Sequence, residues 1–552
     1  MIKENFIELI EKSIKSNWNI VAFSDFRGKG YTYSEVAKEI ARLHKIFQAC
    51  DVQKTDKIAL IGKNSCNWCI AYLATLTYGA VIVPILPDFL SDDVHHIVNH
   101  SESKLLFSSD SIYENLEWAE MPDIKAIFSL TDFSVLHAKE DEDISKKVAD
   151  AGKSFSENYR DSAVLPENIK YEPIPNSQLA IINYTSGTTG FSKGVMLNFN
   201  AMAANIIYAQ ENMPLKPGDK IVSFLPLAHT YGCSFEFIFP FTLGCHITFL
   251  SKIPSPNIVI EAFKEVKPRL ILSVPLVIEK IYKKQIAPVL EQQPLRFLLK
   301  LPFVSCLIYK KIKKEIDAAF GGNFQEVVIG GAAFNPEVEK FFRKIHFRFS
   351  LGYGMTECAP LISYANWQRI KPASAGKLID FLQMKIDSPD PEKVVGEILL
   401  KGENIMLGYY KNDKATQSVF DSEGWFHTGD LGLTDDEQFI YIKGRSKYMI
   451  LGPSGQNIYP EEIEAKLDNL MLVQDSIVIE EENKIVALIS PDFDMMEKHH
   501  IKFESLEPFM EKYRTLINRR LPAYSQISKM RLYDKEFEKT PKSSIKRYLY
   551  TR

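Results

Sequence analysis

Short apolar runs alternate with helix-patterned segments along most of the chain. KIALIG (57–62) is followed by NWCIAYLATLTYG and then by AVIVPIL (80–86). Further runs are LAIINY (179–184), KIVSFLPL (220–227), RLILSV (269–274) and EVVIGG (326–331). Strands that read as continuous apolar runs, each followed by a helix, predict parallel sheets covered by helices on their faces. The pattern changes near residue 445. Beyond it come a helix (PEEIEAKLDNL), a strand pair (SIVIEEENKIVALIS), a charged helical stretch and a basic tail. The expected class is therefore α/β. A large N-terminal body of parallel and mixed sheets, residues 1–445, precedes a small α+β lobe, residues 446–552.

Charge and cysteine content remove several function classes. Lys+Arg total 66 against 70 Asp+Glu, a formal net charge of −4, so nothing favours a nucleic-acid partner. The seven cysteines are odd in number and irregularly spaced, as in chains with free thiols. Cys66 and Cys69 form a lone CxxC inside an apolar segment, which reads as buried helix rather than a metal site. At the N-terminus Phe6, Leu9, Ile10 and Ile14 recur at helical spacing between charges, unlike a secretory leader. No stretch reaches the ~18–20 apolar residues of a spanning helix, so a cytoplasmic location is expected. The closest, FIFPFTLGCHITFL (237–250), carries Pro240, Gly244 and His246 and is expected to form buried strands and a turn. LRFLLKLPFVSCLIY (295–309), followed by Lys310, Lys311, Lys313 and Lys314, has two readings. One is a buried helix followed by a solvated one. The other is an apolar stretch beside a basic cluster on an anionic membrane surface.

The strongest chemical signal is Thr185, Ser186, Gly187, Thr188, Thr189 and Gly190, ending at Lys193, directly after the strand LAIINY. Glycine permits a tight backbone nest, and its N–H groups with the hydroxyls can cradle an anion while Lys193 neutralises charge. The spacing is not GxxxxGK[ST].

YTSGTTGFSKG (184–194) resembles the phosphate loop of the adenylate-forming superfamily: acyl-CoA synthetases, nonribosomal adenylation domains and luciferases. Six more segments follow in that superfamily's order: PLAHTYG (226–232), GGAAF (330–334), GYGMTE (352–357), GEILLKGENIMLGYY (396–410), GWFHTGDLG (424–432) and KGRSKYMI (443–450). The resemblance implies a two-domain enzyme with ATP between the lobes and a C-terminal lobe that rotates between half-reactions. Gly331 and Ala332 would then lie against adenine, with Tyr353 and Gly354 beside it. Thr356 and Glu357 would face the phosphates, Glu357 as ligand to Mg²⁺. Asp430 would accept the ribose hydroxyls, Arg445 would hold ribose or phosphate, and Lys447 would be the hinge. His229, with Tyr231 and Gly232, would line the entrance of the acyl pocket. SVPLVIEKIYKKQI (273–286) is similar to the corresponding segment of long-chain fatty-acid–CoA ligases, and FEFIFPFTLG could wall an apolar tunnel.

One motif departs from the superfamily. Its C-terminal K-T-P-x-G-K-I-x-R reads here Lys539-Thr540-Pro541-Lys542-Ser543-Ser544-Ile545-Lys546-Arg547, which places Ser544 where the catalytic lysine belongs. Lys542, or else Lys546, is expected to supply the missing cation. The implied reaction is ATP-dependent formation of an acyl-adenylate from a medium- or long-chain fatty acid, followed by transfer to coenzyme A. Two rivals stay open: delivery to an acyl carrier protein, and nucleotide binding without catalysis.

Overall fold

The computed structural model describes residues 2–139, 143–160, 165–185, 193–250, 256–299, 301–451, 456–482, 484–540 and 545–550. Three sheets and a flanking antiparallel sheet build the body. The largest has eight strands. Its centre is parallel, with Lys57–Ile61 between Val81–Ile85 and Ser103–Ser108. Leu179–Thr185 pairs in parallel with Val81–Ile85 and antiparallel with Lys193–Asn198, and Gly408–Tyr409 closes that edge. These runs are apolar on both sides because helices cover both faces.

The second sheet has five strands. Leu270–Ser273, Glu326–Gly330 and Phe349–Gly354 are parallel, and Leu361–Tyr364 and Lys377–Leu378 add antiparallel. The third joins Lys220–Ser223, His246–Phe249, Val21–Asp25 and Gly30–Thr32. A four-stranded antiparallel sheet, Leu382–Asp387 to Ile440–Arg445, completes the body.

Local sequence explains the helix boundaries. Helix Cys66–Tyr78 starts at Ser65, whose hydroxyl accepts from Trp68 N–H, and stops at Gly79 with φ +89°. All of it but Asn67 and Tyr78 is buried, so Cys66 and Cys69 are core residues, and burial pushes both thiols up in pKa.

Two sequence expectations are corrected. In 237–250 only His246–Phe249 is a strand. Cys233–Ile238 is a π-helix that runs into the α-helix Phe239–Leu243. Pro240 lies inside this continuous helical run, where its missing N–H accompanies the change from π- to α-helix, and Gly244 ends the run at φ +92°. The segment around 295–309 is not a buried helix. Helix Pro302–Ala319 leaves Phe303 89% and Leu307 69% exposed. No helix among the described residues is long and apolar enough to cross a membrane.

Past residue 445 lies a separate core. Val473–Glu481 and Lys484–Pro491 form the antiparallel pair, and Ile527–Leu532 joins in parallel. Pro460–Leu467 and Glu507–Asn518 cover it, burying Ile463, Leu467 and Ile517. Lys283 bonds to the Asp468 carbonyl, Asn335 to Asn469, and Arg520 lies 3.7 Å from Glu337, so the small lobe rests on the second sheet's side of the body.

Candidate active site between body and lobe

The strand Leu179–Thr185 turns back as Lys193–Asn198, with Thr185 opposite Lys193 in the ladder. This hairpin stem fixes both ends of the Gly/Ser/Thr loop. Ser186, Gly187, Thr188, Thr189 and Gly190 themselves lie outside the described residues. The Lys193 ammonium stands 4.7 Å from the centroid of the Tyr409 ring. The Tyr409 hydroxyl donates to Glu357 Oε1 at 3.0 Å. Lys193 and Glu357, 164 positions apart in the numbering, are thus joined through one tyrosine.

Glu357 lies in a 3₁₀ turn, Thr356–Cys358, and Thr356 is buried beneath it. Two fully buried asparagines hold the turn. Asn205 Nδ2 donates to the Cys358 carbonyl (3.1 Å), and its Oδ1 accepts from Leu361 N–H (3.0 Å). Asn404 Nδ2 donates to the carbonyls of Cys358 (2.9 Å) and Leu361 (2.6 Å). Such buried amides order a loop by completing its backbone bonds. Gly354 is required just before the turn, because a Cβ there would lie 2.2 Å from the Pro360 carbonyl oxygen.

A second constellation centres on Asp430, 4% exposed. Its Oδ2 accepts from the Tyr353 hydroxyl at 2.6 Å, and its Oδ1 pairs with Arg445 Nε at 2.8 Å. Asp430 and Arg445 are directly opposed on neighbouring strands. Burial pushes the Asp430 carboxyl up in pKa, while Arg445 and the Tyr353 hydroxyl pull it back. Each oxygen keeps acceptor capacity, so the carboxylate can still receive a vicinal diol. Glu397 Oε1 accepts from Gly429 N–H at 2.9 Å, and its Oε2 lies 3.0 Å from His427 Nδ1. Glu397 thereby anchors the turn that presents Asp430.

Lys447 follows in the 3₁₀ turn Ser446–Tyr448. Burial, then the like charges of Arg445 and Lys193, push its pKa down. Lys193, Arg445 and Lys447 therefore share one field with Glu357 and Asp430, an arrangement suited to a polyanion. Among the described residues no group of three metal-ligating side chains exists. Glu357 offers one carboxylate here, with Asp430 near enough to act on it electrostatically. That fits Mg²⁺, which is held by one or two carboxylates together with substrate phosphates.

Gly331 and Ala332 are exposed at the C-terminal end of the parallel strand Glu326–Gly330, the usual place for a ligand in such a sheet. Gly331 has φ +89°. Beneath them, Tyr231 donates to the Val328 carbonyl at 3.1 Å, and its ring fills space that a side chain at Gly330 would crowd. The structure thus places Tyr231 under the sheet end. Gly232 packs against the Pro226 carbonyl, 2.7 Å from where its Cβ would be. His229 Nδ1 accepts from Tyr231 N–H at 3.4 Å and begins the turn. Next to Ala359 lies a small cavity lined by Tyr72, Ile181, Met202, Thr230 and Cys233.

Lys542 and Ser544 lie outside the described residues. Lys546 is 3.6 Å from Glu538 within the lobe. Arg547 pairs with Glu464 and sits 4.8 Å over the Tyr448 ring.

The profile of a family described as "AMP-binding enzyme" matches residues 10–410, and that of "AMP-binding enzyme C-terminal domain" matches 448–552. The chain belongs to the AMP-binding enzyme family. The expected α/β fold holds as well. The structure of the anthranilate CoA ligase AuaEII with anthranoyl-AMP superposes with a TM-score of 0.79, covering 99% of this chain and 96% of that one at 17% identity. Two curated relatives are similar to this AMP-binding enzyme over most of its length. The long-chain-fatty-acid–CoA ligase FadD15 of Mycobacterium bovis is 26% identical over 493 residues, covering 84% of this chain and 78% of the relative. The chloroplastic long-chain-fatty-acid–[acyl-carrier-protein] ligase AEE15 of Arabidopsis thaliana is 27% identical over 537 residues, covering 84% and 72%. The expectation of an adenylate-forming acyl ligase therefore stands.

Tyr409, Glu397, Asn205 and Asn404 were not singled out from the sequence of this AMP-binding enzyme. Tyr409, Glu397 and Asn404 lie inside GEILLKGENIMLGYY, a segment already noted, whereas Asn205 carries no local signal.

Proposed function

We propose that this AMP-binding enzyme activates a medium- or long-chain fatty acid with ATP and transfers the acyl group to coenzyme A. The observation that carries the reading is the joining of Lys193 to Glu357 through Tyr409, beside the Asp430–Tyr353–Arg445 group. In this reading Thr185 and Ser186–Gly190 wrap the triphosphate, and Lys193 neutralises it. Gly331, Ala332, Tyr353 and Gly354 receive adenine, and Asp430 takes the ribose hydroxyls with Arg445 alongside. Thr356 and Glu357 face the phosphates. Glu357 would hold Mg²⁺, which supplies charge neutralisation on the triphosphate when bound. The carboxylate oxygen of the acid forms a bond to the α-phosphorus, the bond to the bridging oxygen breaks, and pyrophosphate leaves. After the lobe turns about Lys447, the thiol sulfur attacks the acyl carbon and AMP leaves. His229, Tyr231 and Gly232 border the acyl route. Lys542 supplies the cation that Ser544 lacks, since Lys546 faces Glu538.

The chain-length assignment draws on the relatives' names, while Phe235 and Phe237 are fully buried in the core. Acid-dependent ATP–pyrophosphate exchange across acids from acetate to oleate tests it, with thioester formation measured with and without coenzyme A. Exchange with long acids and thioester with coenzyme A is expected. Exchange with no acid at all overturns the reading. The relative named as an acyl-carrier-protein ligase favours a second reading, in which the same adenylate passes to a carrier protein. Thioester on carrier protein but not on coenzyme A would establish it.

A further inference from the structure

The body carries one exposed apolar tip for which the reaction has no use. Phe297 is 67% exposed, Leu298 37%, Leu301 44%, Phe303 89% and Leu307 69%, all within eleven consecutive positions. Folded chains rarely leave so many large apolar side chains together in water. The helix Pro302–Ala319 explains how the tip is presented. Tyr309, Ile312, Ile316 and Phe320 recur on its inner side and pack against the core around Phe324 and Phe341. Phe303, Leu307, Lys310 and Lys314 recur at i, i+4, i+7 and i+11 on its outer side, and all four are exposed.

Charge on this segment is one-sided. Gln292 through Lys314 contains Arg296, Lys300, Lys310, Lys311, Lys313 and Lys314 and no Asp or Glu, in a chain whose net charge is −4. Lys344 joins the group through its bond to the Tyr309 hydroxyl at 3.0 Å. Along the helix, Lys310 and Lys314 stand about 10 and 16 Å behind Phe303, at 1.5 Å per residue. An apolar tip that enters a bilayer by roughly 5–10 Å would leave these ammonium groups at the level of the lipid phosphates. A second copy of the chain would bring two cationic faces together, which disfavours self-association through this surface.

We infer that this tip docks the enzyme on an anionic lipid bilayer, with Phe297, Phe303 and Leu307 inserted and Lys310, Lys311 and Lys314 against the headgroup phosphates. The inference goes beyond the proposed function and does not depend on which acid is activated.

Vesicle flotation with the full chain tests it. The chain binds vesicles of phosphatidylcholine with about one third phosphatidylglycerol, and binds pure phosphatidylcholine vesicles at least tenfold more weakly. Salt at about 0.5 M releases it. Phe303→Ser with Leu307→Ser, and separately Lys310→Gln with Lys314→Gln, each weaken binding at least tenfold. Both pairs keep the wild-type melting temperature, because the altered side chains are exposed. Three results would each overturn the inference. They are absence of vesicle binding, unchanged binding in both pairs, and a Phe303-dependent dimer or complex with an acidic protein without vesicle binding.

Discussion

At the scale of single residues, the site joins charges both directly, as Asp430 with Arg445, and through a neutral side chain, as Lys193 with Glu357. Lys193 and Glu357 do not touch in the ladder of either sheet. The Tyr409 ring and hydroxyl bring them together. Lys193→Ala, Glu357→Gln and Asp430→Asn should each lower acid-dependent ATP–pyrophosphate exchange tenfold or more, equivalent to at least about 1.4 kcal/mol of transition-state stabilisation. Near-wild-type exchange in a folded variant would remove that residue from the reaction. Tyr409→Phe keeps the ring under Lys193 but releases Glu357. It should raise the KM for ATP more than it lowers kcat, and an unchanged KM would leave Tyr409 a packing residue. The sequence singles out Lys193, Glu357 and Asp430 because each lies in a short motif whose chemistry is local. It does not single out Tyr409 and Glu397, because each acts on a partner in another element that only the folded chain brings near.

At the scale of elements, the parallel strands were legible because burial on both faces leaves a continuous apolar run. The stretch 237–250 misled for the same reason: a fully buried helix also reads as continuous apolar residues. Buried carboxylates at element ends were invisible too. Glu326 opens the strand Glu326–Gly330, where Oε2 accepts from the Tyr364 hydroxyl (2.8 Å) and Oε1 from Trp367 N–H (2.8 Å). Burial raises its pKa from an ordinary 4.5 to about 7, against the pull of these donors. A carboxyl with a raised folded-state pKa favours the folded state below its unfolded pKa. That contribution is lost as pH rises through the folded value. Unfolding stability should therefore fall between pH 4.5 and about 7, by at most about 3 kcal/mol from this residue. Glu326→Gln should remove that share of the slope in urea titrations at successive pH values. Glu464 and Asp468, raised by burial to about 7 and about 8, leave a residual slope of the same sign. An identical slope in the variant would contradict the account.

At the scale of the whole molecule, body and lobe have separate cores, and among the described residues polar contacts such as Asn335–Asn469 and Arg520–Glu337 join them, an arrangement compatible with the rotation proposed. Lys447→Pro fixes φ near −65° in the turn between them. Exchange of pyrophosphate should survive in this variant while thioester formation falls at least tenfold. Equal losses in both half-reactions would argue against rotation there. The sequence pattern changes near residue 445, whereas the contacts of the lobe leave no signal in it, since they pair residues with no common motif. One of those contacts reaches further. Arg547 lies on the Tyr448 ring and against Glu464, and Lys539 pairs with Asp475 at 2.8 Å. Both flanks of the tail segment that carries Lys542 are therefore moored to the lobe, one of them at the turn Ser446–Tyr448. In the proposed rotation of the lobe these flanks travel with it, as the hand of a clock fixed to its spindle. The angle of the lobe would then set when the Lys542 cation is delivered.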